Sequence, residues 1–352
     1  MNVNEILFFG GFLVLVTLMM VLDLGVFHKK DHVISFKEAT AWTCVWISLA
    51  LVFAVVIYFC AEWIHGINTM EQLEAINIKH GHNLALDASL GFEANMDMYR
   101  NTMTLEYLTG YLLEKALSID NIFVMIMIFV SFGIDQKYYH RVLFWGIIGA
   151  IVLRFVFIFA SAALIQKFSW ILAVFGAILV ISGIKMFFDK NDEKIDTEKH
   201  PMVRFCSKYF RLHPQGHGHD FFCRIDGKRY ITPLFVVLLV IEFSDVIFAV
   251  DSIPAVFSVT QDPFIVFFSN IFAILGLRSL FFMLSNVMNM FWTLKYGLGV
   301  LLTFIGVKML LHTFWHIEIG TGVSLLVIAG ILVLSILVSL IFPKKETKEV
   351  VE

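Results

Sequence analysis

The chain has 352 residues, of which 59% are hydrophobic and only 16% charged. That is too little polar surface for a soluble domain of this size, so lipid must be the solvent for much of it. A formal net charge of -3 excludes a nucleic-acid binder, which needs a basic face.

The N-terminal M-N-V-N-E lacks the positive region of a cleavable signal peptide, so the first apolar run is expected to stay as an anchor. Runs long enough to cross a bilayer follow at about 6–27, 40–61, 104–131, 142–166, 168–188, 233–256, 263–287, 296–315 and 321–342. They predict an all-α polytopic membrane protein of about nine transmembrane helices. The chain divides into a two-helix segment (1–61), an external loop (62–103), a three-helix unit (104–188), a cytoplasmic loop (189–232), a second three-helix unit (233–315) and a final helix with its tail (316–352).

The loop 62–103 holds six acids against Lys79 and Arg100, and reads as a solvated polar loop. In the second loop, 221–232 reads as a hairpin turned by Asp226-Gly227. Nearby His213, His217 and His219, with Cys206 and Cys223, fit no standard zinc spacing. With Cys44 and Cys60 in an apolar run, the four cysteines read as reduced thiols. His312 and His316 lie one turn apart at the end of the eighth run and read as part of an interfacial cap.

Basic residues orient the chain. One alternate set of connections, including the tail lysines Lys344, Lys345 and Lys348, carries 18 lysines and arginines against three in the other set. The positive-inside rule then predicts the N-terminus outside and the C-terminus in the cytoplasm.

The middle of the chain repeats itself. E-K-A-L-S-I-D-N-I at 114–122 matches D-V-I-F-A-V-D-S-I at 245–253. L-R-F-V-F-I-F at 153–159 matches L-R-S-L-F-F-M at 277–283, and G-I-K-M-F-F at 183–188 matches G-V-K-M-L-L at 306–311. The matched units begin on spans of opposite direction, which predicts an inverted repeat of the kind secondary transporters use.

Glu114, Asp120, Glu242, Asp245 and Asp251 all fall within predicted spans. A charge at a helix centre costs about 2.5–3.5 kcal/mol on insertion scales, so each must be compensated or used. Glu114, Ser118 and Asn121 share one helix stripe, as do Glu242, Asp245 and Ser252, while Asp120 and Asp251 point elsewhere. Two antiparallel copies could focus these groups near the midplane. Pro254 either opens the backbone beside Asp251 or kinks the helix near its end. The inventory is carboxylates with Asn121, Ser118, Ser252 and Asn270. It contains neither His nor Cys, so hard divalent cations such as Mn, Mg or Ca suit it. Arg154 and Arg278, at matched positions, are expected to hold the acids ionised; Lys115 is a further charge partner. Lys185 and Lys308, near span ends, either snorkel or join that set.

In these motifs the chain resembles the TerC family, particularly its Alx-like members within the LysE-type transporters. The resemblance rests on E-K-A-L-S-I-D-N-I-F-V-M, H-R-V-L-F-W-G-I-I-G-A, I-E-F-S-D-V-I-F-A-V-D-S-I-P-A-V-F and D-P-F-I-V-F-F-S-N-I-F-A-I-L-G-L-R-S-L. It runs from about Asp23 to the end of the eighth span, with 62–103 longer than the pattern. It implies a bacterial inner-membrane exporter of Mn²⁺, with protons as a compatible coupling ion and no resident cofactor. The metal set is then Glu114, Ser118, Asp120, Asn121, Glu242, Asp245, Asp251 and Ser252, with Asp120 and Asp251 as central ligands. Partners are the cation, membrane lipid and either a second copy or other membrane proteins; nucleic acid is not among them. Two rival readings are a scaffold for membrane-protein assembly and an intramembrane aspartyl enzyme using Asp120 and Asp251. A scaffold needs no charged midplane, and a proton-sharing dyad needs fewer charges than these.

Overall fold

The computed structural model describes residues 3–27, 34–82, 84–168, 170–188, 201–211, 220–225, 228–285, 293–317 and 319–341. His213, His217, His219, the Asp226-Gly227 turn and the tail lysines lie outside the described residues. Each apolar run falls on a helix: α1 (Val3–Phe27), α2 (Phe36–His65), α4 (Phe92–Ser131), α5 (Tyr139–Lys167), α6 (Ile171–Phe188), α8 (Pro233–Phe257), α9 (Pro263–Leu275) with α10 (Leu277–Ser285), α11 (Leu294–Trp315) and α12 (Thr321–Ile341). Between them come α3 (Met70–His80), α7 (Pro201–Tyr209) and the strands β1 (Phe222–Ile225) and β2 (Lys228–Ile231).

Among the described residues, seven helices are long and apolar enough to cross a membrane, or eight when the α9–α10 pair, bent by 43°, is counted as one span. The chain is therefore a polytopic all-α membrane protein. α4 falls short on apolarity, not on length, because Glu114, Lys115 and Asp120 sit within it. Its 40 residues span about 60 Å, roughly twice the hydrocarbon thickness, so its first turns stand clear of the bilayer.

Local chemistry sets the helix ends. Ser35 accepts from the Glu38 amide at the start of α2, and Gly66, with φ of 68°, closes that helix. Thr69 and Gly81 play the same parts for α3. The 62–103 segment is consequently not the solvated loop its composition suggests. It folds onto the bundle and buries Ile64, Leu73, Ile76, His65 and His80. The hairpin forms, with Phe222 paired to Ile231 and Ile225 to Lys228. Helix α8 runs through Pro254 and ends three residues later, where a lost backbone bond costs little.

Helix α4 lies at the centre, packed on α2, α8, α9 and α12, while α5 packs on α8 and α9. Helices α6 and α11 meet most closely. A Cβ on Gly176 or Gly306 would press on the other's backbone carbonyl, and Gly183 and Gly299 are matched in the same way. These contacts, two turns apart on each helix and reversed in order, define an antiparallel crossing through small residues. Outside this core, Leu7, Leu22, Leu326 and Leu334 are exposed. Such a surface is stable only against lipid.

Candidate functional site

Arg154 lies near the middle of α5 and is 1% exposed. A guanidinium carries a fixed charge in this setting, so the surroundings must supply the counter-charge. Its Nη1 donates to Glu114 Oε1 on α4 and, at 3.1 Å, to Asn270 Oδ1 on α9. Nη2 donates to Asp245 Oδ1 on α8 at 3.2 Å, and Nε reaches Asp245 Oδ2 at 3.5 Å. Ser252 Oγ lies 3.5 Å from Nη1. Asn270 closes the ring by donating from Nδ2 to Glu114 Oε2 at 3.0 Å. Four helices thus contribute to one buried cluster of two carboxylates, one guanidinium, an amide and a hydroxyl.

Glu114 and Asp245 are the equivalent acids of the two repeated motifs, and the fold brings them to the same arginine. Ser118 and Asn121 are buried on the same helix as Glu114. Glu242 reaches α5 where Gly149 leaves bare backbone, since any Cβ there would collide with its carboxylate. Buried Arg278 lines a small pocket with Glu242 and Asp245. Neither Asp120 nor Asp251 is a partner of Arg154. Asp120 is half-buried on α4, and Asp251 accepts from Ser182 Oγ on α6 at 2.8 Å. Lys115 donates to the Ala273 carbonyl at 3.2 Å, where α9 breaks into α10. There it complements the negative helix terminus.

Sequence reasoning missed Ser182 and Gly149, which no charge pattern marks. It also missed a second buried group. His65, His80 and Asp262 come together at the end of the bundle formed by the N-terminus of α1, the C-termini of α2 and α3 and the start of α9.

Residues 99–347 match the family profile described as "Integral membrane protein TerC family". An uncharacterized membrane protein of Myxococcus xanthus, STKORF319, is 43% identical over 332 residues, covering 94% of this chain and 91% of its own. Several relatives carry the provisional name membrane-bound redox modulator Alx. That of Photorhabdus laumondii is 44% identical over 310 residues, with 88% and 87% covered. That of Escherichia coli K12 is 42% identical over 309 residues, with the same coverage. No solved structure matches.

Proposed function

Since the chain belongs to the TerC family of integral membrane proteins, we propose that it exports a divalent cation, manganese, from the bacterial cytoplasm through the carboxylate cluster around Arg154. The observation that carries this reading is the convergence of Glu114 and Asp245 on one buried arginine. Buried charge in a membrane helix is expensive and is kept where it handles ions or protons. In this reading Arg154 is an internal counter-ion. An arriving cation takes its place between Glu114 and Asp245, and the guanidinium returns when the cation leaves. The cluster never stands empty and fully ionised, which the low-dielectric interior would punish.

Asn270 and Ser252 supply neutral oxygens, and Glu242 lies beside them as a further ligand or gate. Asp120 and Asp251, both half-buried, act as approach ligands along α4 and α8. All these donors are oxygen, which favours Mn²⁺, Mg²⁺ or Ca²⁺ over Zn²⁺ or Cu²⁺. The choice of manganese leans on the family resemblance. An inverted repeat fits the reciprocal packing of α4 and α5 on α8 and α9, and of α6 on α11. The basic asymmetry of the connections orients the N-terminus outward in the inner membrane.

The test is elemental analysis of cells with and without the protein during manganese overload. The expected result is lower cell manganese and better growth with the protein, at unchanged zinc and copper. Unchanged manganese with depleted zinc would overturn the assignment.

A further inference from the structure

At the opposite side of the molecule from the cytoplasmic hairpin, a second group of ionisable residues is buried without any role in the Arg154 cluster. His65 is the last residue of α2, His80 the last of α3, and Asp262 the N-cap of α9. Each is at most 1% exposed. One ligand atom from each of the three lies within 4.8 Å of the others.

The hydrogen bonding around them has a specific shape. His65 places Nδ1 against Glu5 Oε1 at 3.2 Å and Nε2 against Asp262 Oδ2 at 2.8 Å. His82 places Nδ1 against both oxygens of Glu106 at 3.0 Å. Among the described residues its buried Nε2 has no hydrogen-bond partner, and neither do the two ring nitrogens of His80 or the hydroxyl of Tyr99. The rings are contiguous: centroids lie 5.1 Å apart for His65 and His80, 6.0 Å for His80 and His82, and 5.3 Å for His82 and Tyr99. Burying a polar atom without a partner is costly. Four such atoms at one point need an explanation, and a hydrogen-bonded core does not supply it. A carboxylate on Nδ1 with Nε2 presented inward is how proteins orient a histidine toward a metal. Glu106–His82 has this arrangement, and in Glu5–His65 the inward Nε2 meets Asp262 Oδ2.

We propose that His65, His80 and Asp262, with His82 as fourth ligand, form a closed binding site for a borderline divalent transition metal of the Zn²⁺ type. Three imidazoles and one carboxylate suit such an ion, unlike the all-oxygen cluster around Arg154. Three ligands come from the 62–103 segment and the fourth from nearly two hundred residues later, so the ion would tie that segment to the start of α9. The burial of His65, His80 and Asp262 fits a clamp better than a transit station. This inference stands independently of manganese export.

The experiment uses the full-length, tag-free protein in lipid nanodiscs, stripped with chelator and then titrated with Zn²⁺ alone. The expected result is one zinc retained per chain, with imidazole scattering in the zinc X-ray absorption spectrum and a rise in Tm of about 5 °C or more. His80→Ala and Asp262→Asn should each weaken zinc binding by at least about tenfold. The wild-type spectrum and melt need no variant, so a misfolded variant does not rescue the claim. Retention of no zinc, zinc held by oxygen alone, or equal affinity in folded His80→Ala protein would each overturn the site. An oxygen-only spectrum would point to the Arg154 cluster and leave the export reading intact.

Discussion

Arg154 touches both halves of the motif pair at once, and its removal is the sharpest residue-level perturbation available. Substituting Met would leave Glu114 and Asp245 buried side by side without their counter-charge. Breaking a buried pair this way costs about 3–5 kcal/mol. Arg154→Met is therefore expected to unfold at markedly lower temperature in detergent, and adding Glu114→Gln and Asp245→Asn should recover much of the loss. Thermal melts of the single and triple variants check this. Equal melting of Arg154→Met and wild type would mean the ion pairs carry no stability. The arginine and its acids were legible in the sequence because matched charges in apolar runs stand out. Which acids the arginine holds was not legible. Helical spacing fixes faces of one helix, but the choice between Glu114 and Asp120 depends on where α8 and α9 lie against α4.

At the scale of the helix, the nine apolar runs were readable because hydropathy over twenty residues is a strong signal. The break between α9 and α10 was not. The stretch F-A-I-L-G-L-R-S-L contains one glycine in an apolar run, which a continuous helix would tolerate. Its cause is tertiary: Gly276 packs beside Trp46 and the Lys115 ammonium, where a Cβ would crowd both. The glycine pairs of α6 and α11 are the clearest element-level device. Gly183→Leu should force these helices apart, since its Cβ meets the Gly299 carbonyl and Thr303 backbone. Loss of folded yield or a lowered Tm is expected, whereas Gly330→Leu on α12, whose Cβ meets nothing, should melt like wild type. If both variants melt alike, the close crossing is not a stabilising contact.

For the whole molecule, the connections sort by face. Residues of 62–103, among them His82, with residues of 257–261 and 317–322, line one pocket of about 280 Å³ together with Glu106 and Lys308. This places three alternate connections on one side, as the alternation of spans requires. The outward assignment of that side follows from the basic asymmetry, and a reporter fused after Glu352 tests it. Activity of a cytoplasm-dependent reporter is expected, and activity of a periplasm-dependent one alone would reverse the orientation. The histidine group at that face could not be foreseen, because positions 65, 80 and 262 share no local pattern. Only Asp262, ahead of Pro263 at a helix start, carried a local signal, and that signal was for a cap.

The central claim is that Glu114 and Asp245 bind the transported cation, and it is tested most directly by manganese efflux from proteoliposomes. Purified wild type, Glu114→Gln and Asp245→Asn would be reconstituted at equal density, with insertion checked for each. Wild type should move Mn²⁺ down an imposed gradient. Either neutral variant should lose at least about tenfold in rate, as expected when one charged ligand of a buried cation is deleted. Efflux from both variants at the wild-type rate would make the buried acids structural and contradict the account.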